Sequence, residues 1–77
     1  MNITLNGKAS ETSDADLLAL VSNVTGRKLA PSGQPIDGAR LGLAVAVNAT
    51  VVPRSQWAER ELTEGDDVEL VTAVQGG

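Results

Sequence analysis

The first residues of the chain alternate between apolar and polar side chains, which is typical of a strand with one buried face. Met1, Ile3 and Leu5 share one face, and polar residues separate them. The Asn-Gly pair at 6–7 is the combination favoured in a tight type I′ hairpin turn. We therefore predict that residues 8–11 form a short returning strand.

The next segment carries apolar residues at helical spacing. The predicted stripe consists of Leu17, Leu20, Val21 and Val24. Ser13 is a favourable N-cap, with Asp16 three positions later in a capping-box arrangement. Gly26 suits the left-handed residue that follows a helix. We expect a helix of about three turns that buries one face.

Residues 27–38 follow neither the helical nor the strand period. They contain Pro31, Gly33, Pro35 and Gly38, which interrupt regular structure. This stretch predicts a long surface loop that acts first as a connection and second as a recognition element.

Alternation returns at Leu43, Val45 and Val47, where small or polar residues lie between the apolar ones. This indicates a central strand, and the turn at 48–50 leads to a second strand beginning at 51–52. Proline donates no ladder hydrogen bond, so Pro53 should keep that strand short or place it at an edge.

Trp57 is the one aromatic residue of the chain. A lone tryptophan is more often a packing anchor than a stacking surface for a ligand, and we predict the anchor. Arg54 lies close to it in sequence. Its side chain could form a local salt bridge, which we favour, or contact a partner.

A Gly-Asp turn within 64–67 leads to the last strand. Its inward face is predicted to consist of Val68, Leu70, Val74 and, more weakly, Thr72. Glu69, Val71 and Ala73 should point outward. The sequence then ends in Gln75-Gly76-Gly77.

The predicted order is strand, strand, helix, loop, strand, short strand, strand. One helix must cover one face of a mixed sheet of four to five strands, which is an α+β architecture. The first and last strands can pair in parallel at the centre, as in the ubiquitin-like β-grasp fold. We expect one domain over residues 1–74 and a flexible tail over 75–77.

Composition excludes several classes of function. Among the 77 residues there is no cysteine and no histidine. The chain therefore lacks a thiolate nucleophile, a disulfide, a sulfur ligand for a metal and the usual neutral-pH general base. We expect that the protein is not an enzyme and binds neither a metal nor a cofactor of its own.

The charge and the hydropathy argue against two further classes, nucleic-acid-binding proteins and membrane-spanning proteins. The net charge of −4 argues against binding to a nucleic-acid backbone. No apolar run approaches the ~20 residues that span a membrane, and no charged-then-apolar leader opens the chain. A soluble cytoplasmic protein is expected.

Acidic residues cluster near the end of the chain. The cluster consists of Glu59, Glu61, Glu64, Asp66, Asp67 and Glu69, offset locally by Arg60. We favour a solvated strand–turn–strand surface. The alternative is an acidic collar that steers the tail into a basic partner.

The second half of the chain resembles the ThiS family, the ubiquitin-like sulfur carriers of thiamine (thiazole) biosynthesis. The residues that carry the resemblance are Val47-Asn48, Val51-Val52-Pro53-Arg54, Trp57, Leu62, Gly65-Asp66, Val68 and Gly76-Gly77. The opening strand pair resembles the family more loosely. The 27–38 region departs from it, because it is longer and richer in proline and glycine than the compact loop expected there.

The resemblance implies that an ATP-dependent, E1-like activating enzyme adenylates the Gly77 carboxylate. Sulfur from a cysteine-derived persulfide, supplied by a cysteine desulfurase system, then replaces AMP and leaves a thiocarboxylate. A thiazole synthase takes up that sulfur. ATP and Mg²⁺ belong to the activating enzyme, and this sequence contains nothing like a phosphate-binding GxxxxGK loop.

Two further hypotheses concern the tail and its surroundings. Glycine at 76 and 77 has no Cβ, so the chain can enter a narrow channel and leave the acyl carbon open to attack. A small apolar patch beside the tail could dock the partner. Its predicted members are Ala44, Ala46, Val71, Ala73 and Gln75.

Two other functions share these features. Sulfur carriers for molybdopterin, cysteine or tRNA thiolation have the same kind of tail, and the Val-Val-Pro-Arg segment with Trp57 favours the thiazole branch. A ubiquitin-like modifier joined to lysines through Gly77 is the other alternative.

Overall fold

The computed structural model describes residues 1–38 and 41–72. Its elements are β1 (Asn2–Leu5), β2 (Lys8–Glu11), α1 (Leu17–Thr25), β3 (Leu43–Val47), β4 (Thr50–Val51), a short 3-10 helix (Arg54–Gln56) and β5 (Asp67–Thr72). The strands form one sheet in the order β2-β1-β5-β3-β4. β1 and β5 pair in parallel, and the other neighbours pair antiparallel. The predicted mixed sheet with a parallel central pair is confirmed.

Two hairpins have two-residue turns in the left-handed region of backbone conformation. Asn6 and Gly7 have φ values of +51° and +81°. Asn48 and Ala49 have φ values of +52° and +68°. Positive φ at both central residues is the requirement of a type I′ turn, whose twist matches that of the flanking strands.

The core lies between α1 and one face of the sheet. The helix contributes Leu17, Leu20 and Val21, and the strands contribute Ile3, Val45, Val47 and Val68. Trp57 is 1% exposed. Its Nε1 donates to the carbonyl oxygen of Val52 at 3.0 Å, so the polar end of the ring is satisfied inside the core. The prediction that Trp57 is a packing anchor is confirmed.

The predicted start of the helix was wrong. Asp16, not Ser13, is the N-cap, and its Oδ1 accepts a hydrogen bond from the Ala19 amide at 2.8 Å. Asp16 itself is extended and forms an isolated antiparallel bridge with Glu61, and the Ala15 carbonyl accepts from the Leu62 amide at 3.0 Å. A contact with a distant segment thus delays the helix to Leu17.

The end of the helix is as predicted, whereas one member of its stripe is not buried. Gly26 has φ +71° and caps the helix in the left-handed conformation. Val24 is 46% exposed. It lies in the last turn of α1, where it lines an open groove with Leu5 and Leu20 instead of packing into the core.

The loop at 27–38 contains no helix or strand, but it folds back on itself. Leu29 and Pro35 form an isolated antiparallel bridge. The Ile36 amide donates to the Lys28 carbonyl at 3.0 Å. Within the two described ranges, no helix is long and apolar enough to cross a membrane.

Candidate functional site

The predicted tail follows directly after β5, the central strand. β5 ends at Thr72, and the residues predicted to carry the chemistry or to flank it lie outside the described residues. These are Ala73, Gln75, Gly76 and Gly77. Their roles therefore stay predictions, and the described part of the site is the sheet that leads to them.

Small apolar residues lie on the face of the sheet that α1 does not cover. Ala44 is directly opposite Val71, and Ala46 is opposite both Glu69 and Val51. Directly opposed residues project from the same face of a sheet. Val71 is 56% exposed and Val51 is 70% exposed.

We call Ala44, Ala46, Val51 and Val71 the sheet-face patch. Three of its members were predicted, and the structure brings them together. Val51 was missed. Its signal was available in the sequence, because alternation places Val51 outward once its neighbour Val52 turns into the core, as it does here.

Acidic side chains border this patch on the side of β1 and β2. Glu69 and Asp67 lie on the same strand face as Val71, because they alternate with the buried Val68. Glu11, opposite Asn2 across the β1–β2 hairpin, continues the acidic edge. The face is therefore apolar towards β3 and β4 and negative towards β1.

Asp66 departs from the solvated surface predicted for the acidic cluster, because its side chain is buried at 4% exposure. Its carboxylate accepts from the Thr63 amide at 2.9 Å, the Thr63 hydroxyl at 3.0 Å and the Asn48 amide side chain at 3.0 Å. The Arg60 guanidinium lies 3.6 Å away. The other five cluster members are exposed: Glu59, Glu61, Glu64, Asp67 and Glu69.

The hydrogen bonds decide the charge state of Asp66. Burial alone would raise the pKa of this carboxyl group, but the bonds from Thr63 and Asn48 and the charge of Arg60 outweigh burial and hold the pKa below its ordinary value. A buried, ionised carboxylate thus joins the β3–β4 turn to the start of β5. The local hydropathy pattern does not distinguish Asp66 from its exposed acidic neighbours.

Arg54 does make a local contact, but it is not the predicted salt bridge. Within the described part of the chain its guanidinium donates to neutral oxygens, namely the carbonyls of Leu41 and Leu43 and the side chain of Gln34. The guanidinium also lies 5.2 Å from the centroid of the Trp57 ring, within cation–π range. The favoured local salt bridge is therefore not found among the described residues, and the alternative of a contact with a partner stays a prediction.

No group of three or more histidine, cysteine, aspartate or glutamate side chains within residues 1–38 and 41–72 is arranged to hold a metal ion. The acidic residues of the cluster are instead divided between the buried Asp66 network and the exposed edge of the sheet.

A model of the ThiS family matches residues 3–77, which include both terminal glycines and nearly the whole described fold. The chain belongs to the ThiS family. The family resemblance predicted from the sequence is thereby confirmed, and so is the β-grasp fold that it implies.

Individual ThiS-family proteins are similar to this chain in sequence and in structure. Over 44 residues this chain is 36% identical to the sulfur carrier protein ThiS of Escherichia coli (strain K12). The aligned residues cover 57% of this chain and 67% of that protein. The crystal structure of the thiamine biosynthesis protein ThiS from Geobacter metallireducens superimposes with a TM-score of 0.70 at 26% identity, over the full length of both chains.

A solution NMR structure of a thiamine biosynthesis protein from the same organism gives a TM-score of 0.66 at 28% identity. It covers all of this chain and 88% of the other. Both superpositions extend over the 27–38 loop as well, so its length and composition do not remove the chain from the family fold.

Proposed function

We propose that this protein is the sulfur carrier for thiazole formation in thiamine biosynthesis and that its working group is the Gly77 carboxylate. The observation that carries the proposal is the family match, which runs from residue 3 to residue 77 and so includes the Gly76-Gly77 pair. The E. coli relative, named a sulfur carrier protein, supports the same assignment.

The chemistry explains why an activating partner is needed. An α-carboxyl group has a pKa of roughly 3.5 and is therefore an anion at neutral pH, which makes it a poor electrophile. Attack of its oxygen on the α-phosphate of ATP releases pyrophosphate and forms an acyl-adenylate. A sulfur nucleophile then attacks the acyl carbon, and AMP departs with the former carboxylate oxygen.

In this proposal the activating enzyme binds ATP and Mg²⁺, and the carrier supplies the acyl group. A cysteine desulfurase system provides the sulfur as a persulfide. Displacement of AMP by its outer sulfur gives an acyl disulfide, and a thiol then cleaves the S–S bond, which leaves the thiocarboxylate and a new disulfide. The thiazole synthase is the second partner and consumes the thiocarboxylate. The carrier is regenerated with an ordinary carboxylate, so it acts as a recycled co-substrate.

We further propose that the sheet-face patch docks the activating enzyme. The patch exposes Val51 and Val71 on the sheet that leads into the tail. Interfaces commonly combine such an apolar centre with a charged rim. The acidic edge formed by Glu11, Asp67 and Glu69 fits a partner surface that is basic at the matching edge.

The test is the intact mass of the protein after incubation with ATP, Mg²⁺, a sulfur source and the activating enzyme of the host. A gain of about 16 Da, the difference between sulfur and oxygen, is expected in the C-terminal peptide. Absence of the gain, with an activating enzyme shown to be active on another carrier, would overturn the proposal. Isopeptide conjugates to lysine would support a protein modifier instead.

Gly77→Ala is the matched variant. The added methyl group stands next to the reacting carbon, so we expect charging to fall at least about tenfold. The free energy of unfolding should stay within about 0.5 kcal/mol of the wild-type value, because a terminal residue contributes little to the core. Normal charging of the variant would contradict the role of Gly77.

A further inference from the structure

Arg54 joins segments that are far apart in the sequence. Its Nη2 donates to the Leu41 carbonyl at 2.5 Å and to the Leu43 carbonyl at 3.0 Å. Its Nη1 donates to Gln34 Oε1 at 3.3 Å. Because the same guanidinium lies over the buried Trp57 ring, one side chain ties the 27–38 loop and the start of β3 to the core.

The loop is shaped to accept this arginine. Gly33 is buried, and a Cβ atom at that position would overlap Arg54 Cγ and lie 2.7 Å from the Arg54 carbonyl oxygen. Gly33 also has φ +86°, a conformation in which a side chain is strained. The backbone of the loop therefore approaches Arg54 more closely than any residue other than glycine would allow.

The carbonyls that Arg54 holds lie beside the last described residue of β5. Leu43 is paired with Thr72, which is the last described pair of the β3–β5 ladder. The Leu41 carbonyl also accepts from the Leu43 amide at 3.0 Å. Arg54 thus braces the β3 side of the last described pair of the β3–β5 ladder, directly before the tail in the sequence.

We propose that Arg54 is a positioning residue for the chemistry of the tail. By holding Leu41 and Leu43 it keeps the Leu43–Thr72 pair closed, and Thr72 is the last described residue before the tail. The inference rests on the proposed function. It goes beyond that function in assigning a role to a residue that lies outside both the tail and the sheet-face patch.

The planar guanidinium is well suited to this task. It directs two N–H groups of one nitrogen at two carbonyls, a third at Gln34 and its flat face at Trp57. A lysine ammonium is a compact point charge with no such plane, and it cannot make these contacts together. Arg54→Lys therefore keeps the charge and removes the geometry.

The experiment measures charging rates of Arg54→Lys and Arg54→Gln with the activating enzyme over a range of carrier concentrations. Small misplacements of reacting groups cost large factors in rate, so we expect the rate at saturating carrier to fall about tenfold. The half-saturating concentration should stay within about twofold, because the substitutions alter no side chain of the sheet-face patch. Amide hydrogen exchange over residues 41–44 and 70–72 should accelerate in both variants.

Arg60→Gln is the matched control. It also removes an arginine, but Arg60 lies beside Asp66, at the opposite end of β5 from Thr72. It should lower stability through Asp66 and leave the saturating rate unchanged. All rates are measured at a temperature at which circular dichroism shows every variant to be folded. If Arg54→Gln does not fold, Arg54→Lys carries the test alone.

Three results would overturn the inference. Wild-type saturating rates in the Arg54 variants would remove the positioning role. An equal loss of rate in Arg60→Gln would show a general effect of destabilisation. Failure of the wild-type protein to be charged would be recognised separately and would overturn the proposed function and this inference together.

Discussion

The two ends of β5 differ in what surrounds them. At its start, Asp66 is buried and ionised, and it is bonded to Thr63 and Asn48 with Arg60 nearby. At its end, Val71 is 56% exposed and Thr72 is exposed too. One strand therefore runs from a closed polar network to an open surface.

The difference separates stability from recognition along a single strand. A buried charge with several partners is costly to disturb, because removing one partner leaves the others unsatisfied. An exposed valine on a sheet face contributes little to the fold and is available to a partner. Changes at the start of β5 should therefore act on folding, and changes at its end on binding.

Asp66→Asn should have the largest effect. The substitution removes the negative charge. The NH₂ group of the new asparagine must then face the N–H and O–H groups that donate hydrogen bonds to the Asp66 carboxylate. We expect the free energy of unfolding to fall by about 3 kcal/mol, out of a total of about 4–11 kcal/mol for a chain of this size. Urea denaturation followed by tryptophan fluorescence measures it, since Trp57 is buried in the core.

Asp67→Asn is the matched control for that variant. Asp67 is exposed, and it loses the same formal charge at the adjacent position. The free energy of unfolding of the Asp67→Asn variant should differ from the wild-type value by less than about 0.5 kcal/mol. Equal losses for the two variants would mean that net charge, not the buried network, stabilises this end of β5.

Val71→Asp should act on binding instead. A carboxylate within the sheet-face patch must lose water when the partner docks, so we expect the Kd for the activating enzyme to rise at least about tenfold, or 1.4 kcal/mol. Stability should stay within about 0.5 kcal/mol. Isothermal titration calorimetry measures the Kd.

Val24→Asp places the same charge on the helix layer, which faces away from the patch, and should bind with nearly wild-type affinity. If Val71→Asp binds normally, the open end of β5 is not the docking surface, and the contrast between the two ends fails on the recognition side.

The smallest effect concerns pH. The pKa of Asp66 lies below its ordinary value of 3.8 in the folded protein, so the folded state takes up the proton less readily than the unfolded state. The stabilisation is complete above about pH 4 and is lost as the pH falls through the folded pKa. Unfolding free energy should therefore decline as the pH falls below about 4.

Asp66→Asn is the control for this measurement, because an asparagine at position 66 cannot take up a proton in this pH range. The wild-type curve should fall more steeply than that of the variant over the same range. Parallel curves would show that other carboxyl groups account for the acid sensitivity and that Asp66 does not.

The sequence by itself determined the features that depend on neighbouring residues. The alternation at 43–47 predicted β3, the Asn-Gly pair at 6–7 predicted the first hairpin, and the spacing of Leu17, Leu20 and Val21 predicted the buried face of α1. Such patterns are local, because strand and helix periods repeat within a few residues. The family motif and the Gly76-Gly77 end added the functional hypothesis.

Only the tertiary structure decided features that depend on distant partners. The helix begins at Leu17 because Ala15 pairs with Leu62, a residue far along the chain. Arg54 binds backbone carbonyls that no side-chain pattern reveals.

Asp66 shows the physical reason most clearly. It is buried although its acidic neighbours are exposed, because Asn48 and Arg60 reach it only after the chain has folded. Whether a polar side chain is buried depends on the hydrogen bonds offered by other elements, and local periodicity carries no information about those bonds. The sequence therefore predicted the secondary structure, and long-range packing set the charge network at one end of β5 and the arginine contacts at the other.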